Sequence, residues 1–116
     1  MNFYCGKRIR LSGHQSVWVV DEYGKLIKRL TPQASQKLVN HSPDGFNWGY
    51  GGSGPAQLAL AILLDVTNNP EEAMRYSTWF KDDYVAQWGD QWSISEQAVK
   101  DWLTRQKGGV TVFSEN

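Results

Sequence analysis

The residues best suited to chemistry gather between His41 and Gln57. Five glycines and three aromatics, Phe46, Trp48 and Tyr50, fall within the fifteen residues His41 to Pro55. Glycine at this density serves positive φ angles or close backbone approach. The run Gly49-Tyr50-Gly51-Gly52-Ser53-Gly54 leads straight into an apolar segment opened by Pro55. Free N–H groups and the positive end of a helix dipole would converge there. One reading is an anion or carboxylate pocket, walled by Trp48 and Tyr50 and floored by Gly51, Gly52, Ser53 and Gly54. The other is a compact turn that only satisfies the first N–H groups of a buried helix. Gln57, an amide in the first turn of that helix, needs partners in either case. A structural bond back to the loop weighs more heavily than substrate recognition. The segment is no P-loop, since it lacks the Lys-Ser/Thr pair, and it matches the dinucleotide fingerprint by glycine spacing alone.

Other reactive constellations are thinner. Ser42, Ser53, His41 and Asp44 form a nominal nucleophilic cast, but closeness in sequence does not make a triad, and no Gly-x-Ser-x-Gly elbow is present. Cys5, the single cysteine, is read as a buried inert thiol. With His14 and His41 it makes up the soft-ligand set, without the spacing of a closed zinc site. Glu71-Glu72 and Asp82-Asp83 are helix neighbours about 100° apart, better suited to a solvated surface than to a shared acid–base pair. Asp65 falls near the end of the apolar helix and either pairs with a sheet cation or lies exposed. No catalytic residue, metal ligand or cofactor is assigned.

The charges divide along the chain. Residues 1–40 carry seven basic and two acidic side chains, and residues 41–116 carry five and ten, a split of +5 and −5 within a net charge of zero. Attraction across one domain surface accounts for this most simply. A basic sheet face bearing Arg8, Arg10, Lys25, Lys28 and Arg29 beside Tyr4 or Trp18 would add stacking to charge and suit single-stranded nucleic acid. Overall neutrality and the acidic helices disfavour that function, as does the lack of a C2H2, RRM or KH signature.

The elements that must position these residues follow from periodicity and punctuation. Tyr4 to Leu11 alternates, with Cys5, Lys7, Ile9 and Leu11 on one face and Tyr4, Arg8 and Arg10 on the other. Gln15 to Val20 is rich in β-formers, and Leu26 to Leu30 follows the turn at Glu22-Tyr23-Gly24-Lys25. Three short antiparallel strands in a meander are expected. Thr31-Pro32 opens a short helix or continues the third strand. Ala56 to Leu64 is a central buried helix capped by Gly54 or Ser53. Asn69-Pro70-Glu71-Glu72 starts another helix, whose stripe is Ala73, Tyr76, Phe80, Tyr84 and Trp88. Ser93-Ile94-Ser95-Glu96 reads as a capping box before the last helix, with Val99, Trp102 and Leu103 as its buried stripe. Val110 to Phe113 is a tail or a small edge strand. The fold class is therefore α+β, a three-stranded meander packed against three main helices. Its second sheet face is wet and carries Arg8 and Arg10.

The 116 residues suit one domain, 1–116. No disulfide can form within the chain, and the N-terminal residues lack the apolar stretch of a signal peptide. The longest apolar run, Leu58 to Leu64, falls far short of the roughly 20 residues that span a bilayer. A cytoplasmic protein without a membrane partner is expected.

The segment from His41 through Ala61 resembles the signature of a small family of uncharacterised proteins, DUF6166, found in bacteria, archaea and mobile elements including phages. The opening Tyr4-x-Gly6-Lys7-Arg8 and the stretch Ile94 to Leu103 are similar to that family too. The resemblance implies no activity and no residue roles. Its mobile-element setting suggests an accessory protein that occupies a host defence component. The leading expectation is a non-enzymatic binding protein with an unidentified protein partner. Its faces would be the acidic helix around Glu71, Glu72, Asp82 and Asp83, or the basic sheet around Arg8, Arg10 and Arg29. A small-ligand or enzymatic site at the Gly-rich corner is the alternative, followed by nucleic-acid binding through the sheet.

Overall fold

The computed structural model describes residues 1–108. Strands β1 (Phe3–Ile9), β2 (His14–Val20) and β3 (Leu26–Arg29) come first. Helices α1 (Gln33–Leu38), α2 (Ser53–Thr67) and α3 (Pro70–Asp83) follow, then a single 3-10 turn (Val85–Gln87), strand β4 (Gln91–Ser95) and helix α4 (Glu96–Gln106). The sheet runs β3-β2-β1-β4 and every pairing is antiparallel.

The expected three-stranded meander is thus corrected: the described residues form a four-stranded sheet against three long helices and the short α1. The additional strand, Gln91-Trp92-Ser93-Ile94-Ser95, crosses beside β1 with Trp92 opposite Gly6 and Ile94 opposite Tyr4. Its alternation is brief, and the adjoining Ser-x-x-Glu pattern signals a helix start instead. The helix does begin there, but its cap is Ser95, whose Oγ accepts from the Ala98 N–H at 3.0 Å. The aromatic stripe of α3 also ends sooner than its spacing suggests. Tyr84 leaves helical geometry (φ −126°, ψ −66°), so Trp88 sits on the following turn and stacks on Trp92 with ring centres 3.9 Å apart. The Val110–Phe113 segment lies outside the described residues.

Which sheet face is buried also differs from the expected arrangement. Tyr4, Gly6, Val17, Val19, Trp92 and Ile94 turn toward the helices and join the core with Leu58, Leu60, Ile62, Leu63, Phe80, Val99 and Trp102. Arg8 continues that inner row, so the opposite, uncovered face carries Phe3, Cys5, Lys7, Trp18 and Val20 instead. Gly6 explains the choice. The Trp92 indole lies directly on it, in space that any Cβ would occupy, so this face of β1 is where the largest ring can press against backbone.

The helices start and stop for local reasons. α2 is buried almost all round from Gly54 to Leu63, as its apolar composition requires. It closes at Asn68 in the left-handed region (φ 50°), with the Asn68 N–H bonded to the Leu64 carbonyl. Asn69 then caps α3 by accepting from the Glu72 N–H at 3.2 Å, ahead of Pro70 at the first helical position. No helix of the described residues is long and apolar enough to cross a membrane.

Candidate functional site

The Gly-rich corner is used heavily by the protein itself. Gln57 is fully buried and all of its amide capacity is engaged. Its Oε1 accepts from the N–H groups of His41 (2.8 Å) and Ser42 (3.0 Å), while Nε2 donates to Ser35 Oγ (2.8 Å) and the Val39 carbonyl (3.2 Å). Four bonds pin α1 and the turn after it onto α2. Trp48 is also fully buried. Its Nε1 donates to the Gly89 carbonyl at 2.7 Å, and its ring meets Trp92 edge-on at 5.7 Å. Gly49 turns the chain out of the core at φ +87°, with its N–H on the Val85 carbonyl.

Tyr50, by contrast, is half exposed and folds over Gly52, which is the N-cap of α2 and makes no side-chain cap bond. Gly51 and Ser53 are exposed, and Gly54 is buried against Asn47. An open polar groove of about 250 Å³ lies here, lined by Gln15, Ser42, Asp44, Asn47, Tyr50 and Ser53 among others. Trp48 is not in its lining. No hydrogen bond among the described residues engages the Ser53 or Gly54 N–H, but Asp44 on the rim opposes the anion those amides would attract.

The charged candidates are largely spent within the fold. Arg8 donates from its terminal nitrogen to the Trp48 carbonyl at 3.0 Å, lies 4.8 Å over that ring, and approaches Asp90 at 3.7 Å. Arg10 donates to Asp90 Oδ2 at 2.6 Å. That bond holds the Asp90 carboxyl below its ordinary pKa. Asp65 accepts from the Tyr4 hydroxyl at 2.6 Å and from Lys28. Burial, and then this hydrogen bond to an anion, push the Tyr4 phenol well above its usual pKa. Glu72 pairs with Lys107, and Asp83 accepts from Trp102 Nε1 at 2.8 Å, so both tie α3 to α4. Glu71 and Asp82 remain on the surface. The opposite charges of the two chain halves therefore meet each other across the domain, at Arg8/Arg10–Asp90 and Lys28–Asp65.

Apart from the exposed Met74 and Trp79 on α3, what is left unspent is the outer face of the sheet. Strand register sets it in rows: Leu26–Val20–Phe3–Ser95, then Arg29–Trp18–Cys5–Ser93, then Ser16–Lys7–Gln91. Phe3, Cys5, Trp18 and Val20 are partly exposed and Leu26 is 59% exposed, and no helix of the described residues packs over them. An open groove of about 350 Å³ runs along Ser16, Trp18, Val20, Leu26 and Arg29. Arg29, a sequence candidate, lies here beside Trp18, and Lys7 shares the face. Neither has an ion-pair partner among the described residues. Sequence reading assigned the nucleic-acid alternative Arg8, Arg10, Lys25, Lys28 and Arg29. Arg8 turns inward and Lys28 engages Asp65. The apolar members of this face, Phe3, Val20 and Leu26, were missed, and the signal for them was the alternation of β1 and β2 taken with the opposite face inward.

Among the described residues no group of three His, Cys, Asp or Glu side chains could hold a metal ion. A family model described as a family of unknown function, DUF6166, matches residues 4–105. No curated protein and no solved structure matches the chain.

Proposed function

Because this chain belongs to the DUF6166 family, whose description assigns no function, we propose from its geometry that it is a non-enzymatic protein-binding domain whose contact surface is the outer face of its sheet. The observation that supports this reading is the uncovered apolar row Leu26–Val20–Phe3 beside Trp18. Antiparallel sheets tolerate a wet face, but that face is normally polar. Apolar side chains gathered on one exposed face are a feature of interaction surfaces. The mechanism is steric occupation of a partner. The narrower idea, a host defence component as that partner, has its support in the mobile-element setting that the family resemblance implied, and no residue argues for it.

A photocrosslinking amino acid placed at Leu26 or, separately, at Glu71 tests the reading in cells that make the chain. Both positions are exposed, so either substitution should leave the fold intact. The Leu26 position is expected to yield one stoichiometric protein adduct, lost when Trp18→Asp is added to a chain that still melts cooperatively. Adducts from Glu71 alone, or from neither position, would overturn the proposal.

A further inference from the structure

We infer that the sheet face takes an extended peptide segment of one chemistry: two carboxylates three or four residues apart with a large apolar side chain between them. This rests on the docking reading above and adds the identity of the occupant. Charge complementarity is the first support. Arg29 and Lys7 project from the face without ion-pair partners among the described residues, and none of the three rows contains an acid. Of the acids that flank the rows, Asp90 is engaged by Arg8 and Arg10 and Glu96 by Lys100, while Asp21 and Glu22 sit in the β2–β3 turn. There Asp21 accepts from the Tyr23 and Lys25 N–H groups and Glu22 meets the N-terminal amine.

Size is the second support. Four strands about 4.8 Å apart and about five residues long present roughly 300 Å² of sheet. A standard domain–domain interface buries about 800 Å² of accessible surface on each partner, spread over roughly 20–30 residues, whereas the three rows hold eleven residues. The face suits a segment rather than a second copy, and stacking two copies face to face would also oppose their cations.

Register supplies the spacing. Arg29 and Lys7 lie two strands and one row apart, about 12 Å, which an extended chain covers in three to four residues. Between them lie Trp18 and Ser16, at one end of the groove that runs on to Val20 and Leu26, so a large apolar side chain placed between the two acids would lie against Trp18 and reach along the groove toward Leu26. The groove walls set the aliphatic Val20 and Leu26 beside the single ring of Trp18, which suits one apolar side chain better than successive bases that stack on several flat rings.

Selection of a displayed random dodecamer peptide library on the full chain tests this, followed by titration of chosen peptides into wild type, the Lys7→Glu/Arg29→Glu double variant and Leu26→Lys. The expected peptides carry two acids at the stated spacing around an apolar residue. They should weaken by about tenfold or more against the double variant, which then accepts the peptide with its acids changed to lysine. Peptides that depend on Leu26 but show no acidic pattern, and bind the double variant equally, would overturn the inference and leave the docking face standing. No peptide dependent on Leu26 would remove both. Tighter binding of a dodecathymidine oligonucleotide, falling steeply with salt and lost in the double variant, would reassign the face to nucleic acid.

Discussion

The Gly-rich corner and the outer sheet face are opposites. The corner is conspicuous in sequence, with five glycines and three aromatics in fifteen residues, yet Gln57 and Trp48 direct their polar groups to other parts of the same chain. The sheet face is built from ordinary alternating strand residues, and it retains exposed apolar side chains and cations without an ion-pair partner among the described residues. An unusual local pattern can reflect the demands of a buried helix start, whereas a surface with unused capacity can be written in plain residues.

The contrast predicts unequal responses to substitution. The largest is expected at Gln57. Changing it to Leu leaves the buried Ser42 N–H without its acceptor, at about 1–3 kcal/mol for an unsatisfied group, and removes three further bonds, although the His41 N–H keeps the Val39 carbonyl, so a loss of about 3 kcal/mol is expected in denaturant titration. A loss below about 1 kcal/mol would break the comparison, since the corner would not depend on that amide. Next comes Gly6→Ala, whose Cβ would enter the Trp92 ring. Trp92 is held by Trp88 on one side and Trp48 on another, so the ring cannot retreat cheaply. A loss of about 2–3 kcal/mol is expected, while Lys7→Glu, the neighbouring residue on the other face, should stay within about 0.5 kcal/mol.

A smaller effect is expected for Tyr4→Phe, about 1 kcal/mol at neutral pH from the lost hydrogen bond to Asp65. Its pH signature is more informative. The folded Tyr4 phenol titrates above the ordinary tyrosine value of 10.0, so its contribution is fully present below that value and declines as pH rises beyond it. The variant should lose less stability than wild type in alkali, measured as the melting temperature on either side of that pH. Identical alkaline profiles would mean that Tyr4 is not protected in the way its burial indicates.

Much of the architecture was legible from local signals. The apolar run of α2, the Asn69-Pro70 start of α3 and the first three strands announce themselves because backbone preference and capping act within a few residues. Other features depend on partners distant in sequence. β4 is five residues whose alternation is outweighed by the adjacent cap signal, and only pairing with β1 makes it a strand.

The chain by itself determined that strands and helices would gather around the helix at Ala56 to Leu64, since an apolar helix too short to span a bilayer is stable only inside a core. It did not determine which face of β1 turns inward. A two-residue period states that the faces differ and leaves open which is buried. The Trp92 ring on Gly6, brought together across 86 positions of chain, settled it. The same distant contact sent Arg8 inward and left Lys7, Trp18 and Arg29 facing out.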